Sequence, residues 1–143
     1  MFALAGCGGD SAASAENPTD AEQVGPADRT DAGERAGCPA RVGAFLDSLD
    51  ALRRRLAVGL SYDQYAAKVE KLGADYNRIP IGRLALDCLA TTGTPAENAF
   101  NEYIDAANAW GECLADASCT LATIEPVLQR RWRVASHFLS EAR

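Results

Sequence analysis

From residue 39 to the end of the chain, apolar side chains return every three or four residues and nowhere alternate every two. A repeat near 3.6 places such residues on one face of a helix, whereas a half-buried strand needs strict alternation. That periodicity leaves an all-α fold as the expectation. Short connections between the periodic segments favour antiparallel neighbours. The predicted architecture is an up-down bundle of four long helices plus one short helix, stapled by disulfides and preceded by a disordered linker.

The segments can be placed one by one. A first helix is predicted over 39–58, where Val42, Phe45, Leu46, Leu49, Leu52 and Leu56 form a stripe, and Gly59 supplies a stop. A second follows Ser61, which has Gln64 three residues on, the spacing of a capping box. Tyr62, Tyr65, Val69, Leu72 and Tyr76 lie on its apolar face. A short third helix is predicted over 80–90, with Ile81, Leu84, Ala85, Cys88 and Leu89 inward and "TTGT" ending it. The fourth is expected to open at "TPAE", with Thr94 as cap, Pro95 in the first position and Glu97 completing the box. Phe100, Tyr103, Trp110 and Leu114 fall on its stripe. The fifth carries Ile124, Val127, Leu128, Trp132, Ala135, Phe138 and Leu139. Proline inside a helix costs about 3 kcal/mol, so Pro126 points to Thr123 as its N-cap.

Charge divides the chain differently. The net charge is −6 and the pI about 4.7, which argues against nucleic acid as a partner. Residues 10–36 hold seven acids and two bases, or −5 of that total; the remainder holds 13 acids (20 less seven) and 12 bases (14 less two). Residues 8–37 are dominated by Ala, Gly, Ser, Pro, Asp and Glu, with Val24 the one branched apolar residue. Such a stretch buries too little surface to offset its ordering entropy. It is expected to be a disordered acidic tether with a reach of about 30 Å. The organisation read from sequence is therefore residues 1–7, the tether 8–37, and the helical domain 38–143.

There are five cysteines, Cys7, Cys38, Cys88, Cys113 and Cys119. If Cys7 is otherwise used, four remain, and four allow three pairings. Cys113 and Cys119 flank the turn between the last two helices, which favours their union and leaves Cys38 with Cys88. A bridge closing the longer loop would stabilise by about 4 kcal/mol on chain-entropy grounds. Both bridges need an oxidising compartment. No Cys-x-x-Cys pair is present, so no metal is expected.

The tetrapeptide Leu4-Ala5-Gly6-Cys7, followed by the small polar run "GGDSAAS", resembles the lipobox of bacterial lipoproteins. Leu stands three before the cysteine and two small residues fill the gap. The resemblance implies diacylglycerol on the Cys7 thiol, cleavage just before it, and residence on the extracytoplasmic face of the cell membrane. Each buried CH₂ adds about 0.8 kcal/mol, so two or three acyl chains anchor durably. Only Met1–Ala3 precede the box, with no basic residue among them, so the resemblance also implies a start further upstream. The style of anchor, linker and bundle resembles small envelope lipoproteins of GC-rich Gram-positive bacteria. The implied partners are the membrane, through the anchor, and an envelope protein or anionic envelope molecule.

Little in the chain supports catalysis. The one histidine, His137, falls opposite the last apolar stripe beside Arg130 and Arg133. There is no Glu-x-x-His, no Cys-x-x-Cys-His and no phosphate-binding glycine loop. No catalytic residue and no cofactor are expected, and the first reading is non-catalytic binding or interaction. Two residues break the apolar pattern: Arg53 on the first helix and Arg131 on the fifth. They either snorkel from the core edge or share an anion site with tyrosine hydroxyls, Tyr65 and Tyr103 being the candidates. A small anionic-ligand binder with an Arg/Tyr pocket between helices one and five is the alternative. A carboxylate-based hydrolase comes third; it would need an acid of raised pKa on an apolar stripe, and none is seen in helices two to five. The aromatic residues are otherwise expected to be core, with hydroxyls reaching the rim.

Overall fold

The computed structural model describes the backbone of residues 27–143, with side chains at Cys38 and from residue 40 onward. Residues 1–26, which include the tetrapeptide read as a lipobox and Cys7, expected as the attachment residue, lie outside the described residues. Four long helices make up the fold: α1 (Ala27–Val58), α2 (Tyr62–Tyr76), α4 (Thr94–Ala115) and α5 (Leu121–Glu141). A one-turn helix, α3 (Leu86–Cys88), lies between the second and third of these. No strand occurs among the described residues.

The α1 helix begins well before residue 39, so the backbone is already helical through residues 27–37, a stretch assigned from composition to the tether. Entropy forbids that stretch a core of its own, but Ala, Glu and Arg extend an existing helix at little cost. Pro39 thus falls inside α1 rather than at its start. Gly59 ends the helix with φ +106°, a conformation L side chains rarely adopt. The capping box of α2 forms as predicted. Gln64 N–H donates to Ser61 Oγ at 3.3 Å, and Ser61 N–H donates to Gln64 Oε1 at 3.1 Å.

Two predicted boundaries are overturned, both at proline. Residues 80–90 do not form one short helix: a 3₁₀ turn (Ile81–Arg83) precedes α3, which passes into a π turn (Leu89–Gly93) leading straight into α4. "TTGT" therefore does not break the chain, and Thr94 does not cap. Thr94 instead sends both its N–H and its Oγ1 (3.0 Å) to the Leu89 carbonyl. Pro95 offers no N–H and its ring crowds the carbonyl four residues back. The wider i→i+5 turn is one way helices relieve such a conflict. In α5 the cap is Thr120, not Thr123: Thr123 N–H donates to Thr120 Oγ1 at 3.3 Å, and Pro126 lies inside the helix. Ala122, whose carbonyl loses its partner to Pro126, is exposed, so water can take the vacant bond.

The core is built from one face of each long helix. Leu49, Tyr65, Tyr103 and Ala135, from α1, α2, α4 and α5, are all fully shielded. The α4–α5 pairing is the most extensive in the bundle. Ala99, Ala106 and Ala135 lie on those two helices with no accessible surface, and such small residues let helices approach closely. Two leucines depart from expectation or from burial at the hairpin tip: Leu114, predicted inward, is exposed, as is Leu121. Ile81, also predicted inward, is exposed because the 3₁₀ turn replaces the helix that would have buried it.

Both favoured disulfides are present. Cys38 and Cys88 pair with Cα atoms 5.7 Å apart and tie α1 to α3. Cys113 and Cys119 pair at 5.2 Å and close the α4–α5 hairpin. No helix among the described residues is long and apolar enough to cross a membrane.

Candidate functional site

An aromatic pillar organises the centre. Tyr65 reaches from α2 across the bundle, where its hydroxyl donates to the Tyr103 carbonyl of α4 at 2.8 Å. The same oxygen accepts from Trp132 Nε1 of α5 at 3.1 Å. Trp132 and Trp110 stand edge-on to each other at 6.3 Å, and Tyr65 packs against both. The expectation that tyrosine hydroxyls reach the rim therefore fails for Tyr65 and Tyr103, both of which are wholly buried. Burial raises the Tyr65 pKa far above its usual value and pushes Tyr103 up to about 12.

Beside this pillar a groove of about 190 Å³ opens between α1 and α5. Its walls include Arg53, Leu56, Tyr103, Gln129, Trp132, Arg133 and Ser136. The sequence-predicted set is thus divided. Arg53 and Tyr103 come together here as expected. Tyr65 does not line the groove; its hydroxyl is spent on holding three helices. Arg131 points away from it, to α4, where Nη1 meets Glu102 Oε2 at 3.0 Å and Asp105 Oδ2 at 3.1 Å. Those acids hold the guanidinium's pKa above its ordinary value. Glu102 and Asp105, three apart on the neighbouring helix face, draw Arg131 out of the expected anion site.

Arg53 emerges from the stripe to 46% side-chain exposure, its Nη2 2.6 Å from Asp50 Oδ1. Asp50 also pairs with Arg54. It is the one buried charged residue among those described, at 7% exposure. An isolated buried carboxylate would be costly; two cations at i+3 and i+4 make it tenable. That spacing was the available sequence signal for Asp50. Arg133, Gln129 and Ser136 had no comparable signal.

Two features distinguish this groove. The Tyr103 hydroxyl is shut off from solvent without a hydrogen bond of good geometry. Ser136 is its hydrogen-bonding neighbour and lowers its pKa; the Ser136 hydroxyl proton goes to the Trp132 carbonyl at 2.8 Å, which leaves the Ser136 oxygen lone pairs free to accept. Arg133, meanwhile, takes part in none of the ion pairs among the described residues. The wider recess between α1 and α2, about 410 Å³, differs in both respects. There Asp75 accepts from Ser48 (2.9 Å), Lys71 (3.0 Å) and Arg78 (3.1 Å), and Arg41 donates to the Arg83 carbonyl at 2.7 Å. The Lys71 hydrogen bond foremost holds the Asp75 carboxyl below its ordinary value.

His137 is exposed and faces Glu141 Oε1 at 3.3 Å on its own helix. Among the described residues no three His, Cys, Asp or Glu side chains gather as a metal set. No protein-family model, no curated protein and no solved structure matches the chain.

Proposed function

We propose that this chain is a lipid-anchored binding or interaction protein of the cell envelope, held on the extracytoplasmic face of the membrane and acting without covalent chemistry. The observation that carries the reading is the pair of disulfides within the helical domain, at Cys38–Cys88 and Cys113–Cys119. Such bridges persist in oxidising compartments and are rare in the cytosol. They leave Cys7 as the odd cysteine, in the one place where a lipobox puts it to use. The acidic stretch after Cys7 would be repelled by an anionic surface and so would hold the bundle out towards its partner.

The test is the intact mass of the protein made in a lipoprotein-competent host from its gene with the upstream nucleotides included, before and after reduction and thiol alkylation. The expected mass begins at a diacylglyceryl Cys7, with no alkylation until reduction and four thiols after it. A mass retaining Met1, with five cysteines alkylated without reduction, overturns anchor, export and bridges together.

A further inference from the structure

The α1–α5 groove has the makings of a ligand site, and we propose that it binds a small oxyanion, the carboxylate or phosphate group of an envelope molecule. This deepens the binding reading above by naming a ligand class; it does not rest on the lipid anchor.

Charge comes first. Among the lining residues Arg53 and Arg133 contribute +2, and Asp50, paired with Arg53, contributes −1, in a chain whose net charge is −6. The local field therefore runs against the global one, and a cleft with low-dielectric walls concentrates it. Donors come second. A guanidinium offers five N–H groups, so Arg53 retains donors after pairing with Asp50, and Arg133 has all of its own uncommitted to any carboxylate among the described residues. Gln129 adds an amide at the same opening. Charge-assisted contacts to a planar or tetrahedral oxyanion are the strongest such donors make.

Tyr103, from α4, closes the floor of the groove, and its hydroxyl has no accessible surface, so the ligand's contacts fall to the arginines and Gln129 at the opening. Size sets the class. A volume of about 190 Å³ is below the roughly 300–1,000 Å³ of sites for larger ligands, so the anionic group itself enters. Trp132 and Leu56 offer apolar contact to whatever carries it.

The test is a titration of the full-length, oxidised chain with inorganic phosphate and, separately, acetate, followed by backbone amide NMR shifts. The expected result is saturable movement confined to residues 53–57 and 129–136. R133M should weaken the Kd about tenfold, the effect of one lost charge-assisted bond. R78M removes the same charge from the α1–α2 recess and should leave it unchanged. Tighter phosphate than acetate assigns a phosphoryl ligand; the reverse assigns a carboxylate. Non-saturable shifts, wild-type affinity in R133M, or equal losses in R78M and R133M each overturn the site. None of these outcomes alters the intact-mass result, so a failed groove and a failed envelope assignment are separable.

Discussion

Tyr65 and Tyr103 are equally buried, yet their hydroxyls meet different surroundings, so removing each by Phe should move stability in opposite directions. The Tyr65 hydroxyl gives and receives: it donates to the Tyr103 carbonyl at 2.8 Å and accepts from Trp132 Nε1 at 3.1 Å. In Tyr65→Phe the carbonyl keeps its helical bond within α4, but the indole N–H loses its partner. An orphaned buried polar group costs about 1–3 kcal/mol. Trp132 is only half-buried, so partial access to water should hold the loss to about 1–2 kcal/mol. The Tyr103 hydroxyl makes no bond of good geometry, with Ser136 as its hydrogen-bonding neighbour. Tyr103→Phe removes a desolvated polar atom at nearly constant shape, and is expected to be neutral or to stabilise by up to about 1 kcal/mol.

Urea unfolding with both disulfides intact reads the two effects. The slope m should be common to wild type and both variants, so midpoint shifts report stability directly. The decisive comparison is the sign of Tyr103→Phe. A loss there as large as that of Tyr65→Phe would mean that its hydroxyl has a partner in solution, and the argument from an unmet donor fails. A neutral Tyr65→Phe would show instead that the three-helix junction is held by ring packing alone.

Other consequences of the fold are open to direct measurement. Removing Cys38–Cys88, with a sequence separation of 50, should cost about 4 kcal/mol, and removing Cys113–Cys119, with a separation of six, about 2 kcal/mol, both read by urea unfolding of the paired Cys→Ala variants; equal losses would contradict the chain-entropy account. Gly43→Ala, at a helical site with open space around it, should stabilise by roughly 0.5–1 kcal/mol, while Gly59→Ala, at φ +106°, should destabilise by about 1 kcal/mol, and thermal melts that reverse this order refute the backbone assignment. Asp75 has its pKa depressed below its ordinary 3.8, so its contribution is present above that value and is lost as pH falls through the folded-state pKa. Asp75→Asn should therefore flatten the stability profile below pH 3.8, and an unchanged acid limb in an unfolding series would rule the carboxylate out as its source.

The fold was largely legible in the sequence because periodicity and burial obey the same geometry. Ser61 and Gln64 announced a capping box that forms, and the stripe from Val42 to Leu52 is buried. Proline was the weak point. Local rules place Pro95 and Pro126 at helix starts; Pro95 does stand in the first turn of α4, although a π turn runs straight into it, whereas Pro126 lies inside α5. A π turn absorbs one, and an exposed flank tolerates the other while Ile124 and Leu128 gain the core. The site was half legible. Arg53 and Tyr103 do line one groove, but the two residues that break the apolar stripes, Arg53 and Arg131, do not meet. Arg131 was misread because a helical wheel knows one face of its own helix and nothing of the neighbour. Residues 131 and 133 are about 200° apart on α5. Which of them faces α1 depends on how α5 packs against α4, and Glu102 with Asp105 settles that by drawing Arg131 to the α4 side.

That division has a mechanical consequence for the groove. Neither disulfide touches it: one ties α1 to α3, the other closes the α4–α5 hairpin. The spacing of α1 from α5 near Arg53 is instead set by side chains packed between helices. Arg131 braces α5 against α4 on one flank, and the Tyr65 hydroxyl locks Trp132, which is itself part of the groove wall. Trp132 therefore couples the buried pillar to the opening. A ligand pressing on the indole must work against the Tyr65 bond, and loosening that bond must blur the groove. Stability and binding should then separate by residue: bridges govern how long the domain survives, while the Tyr65–Trp132 contact governs how well the groove is formed.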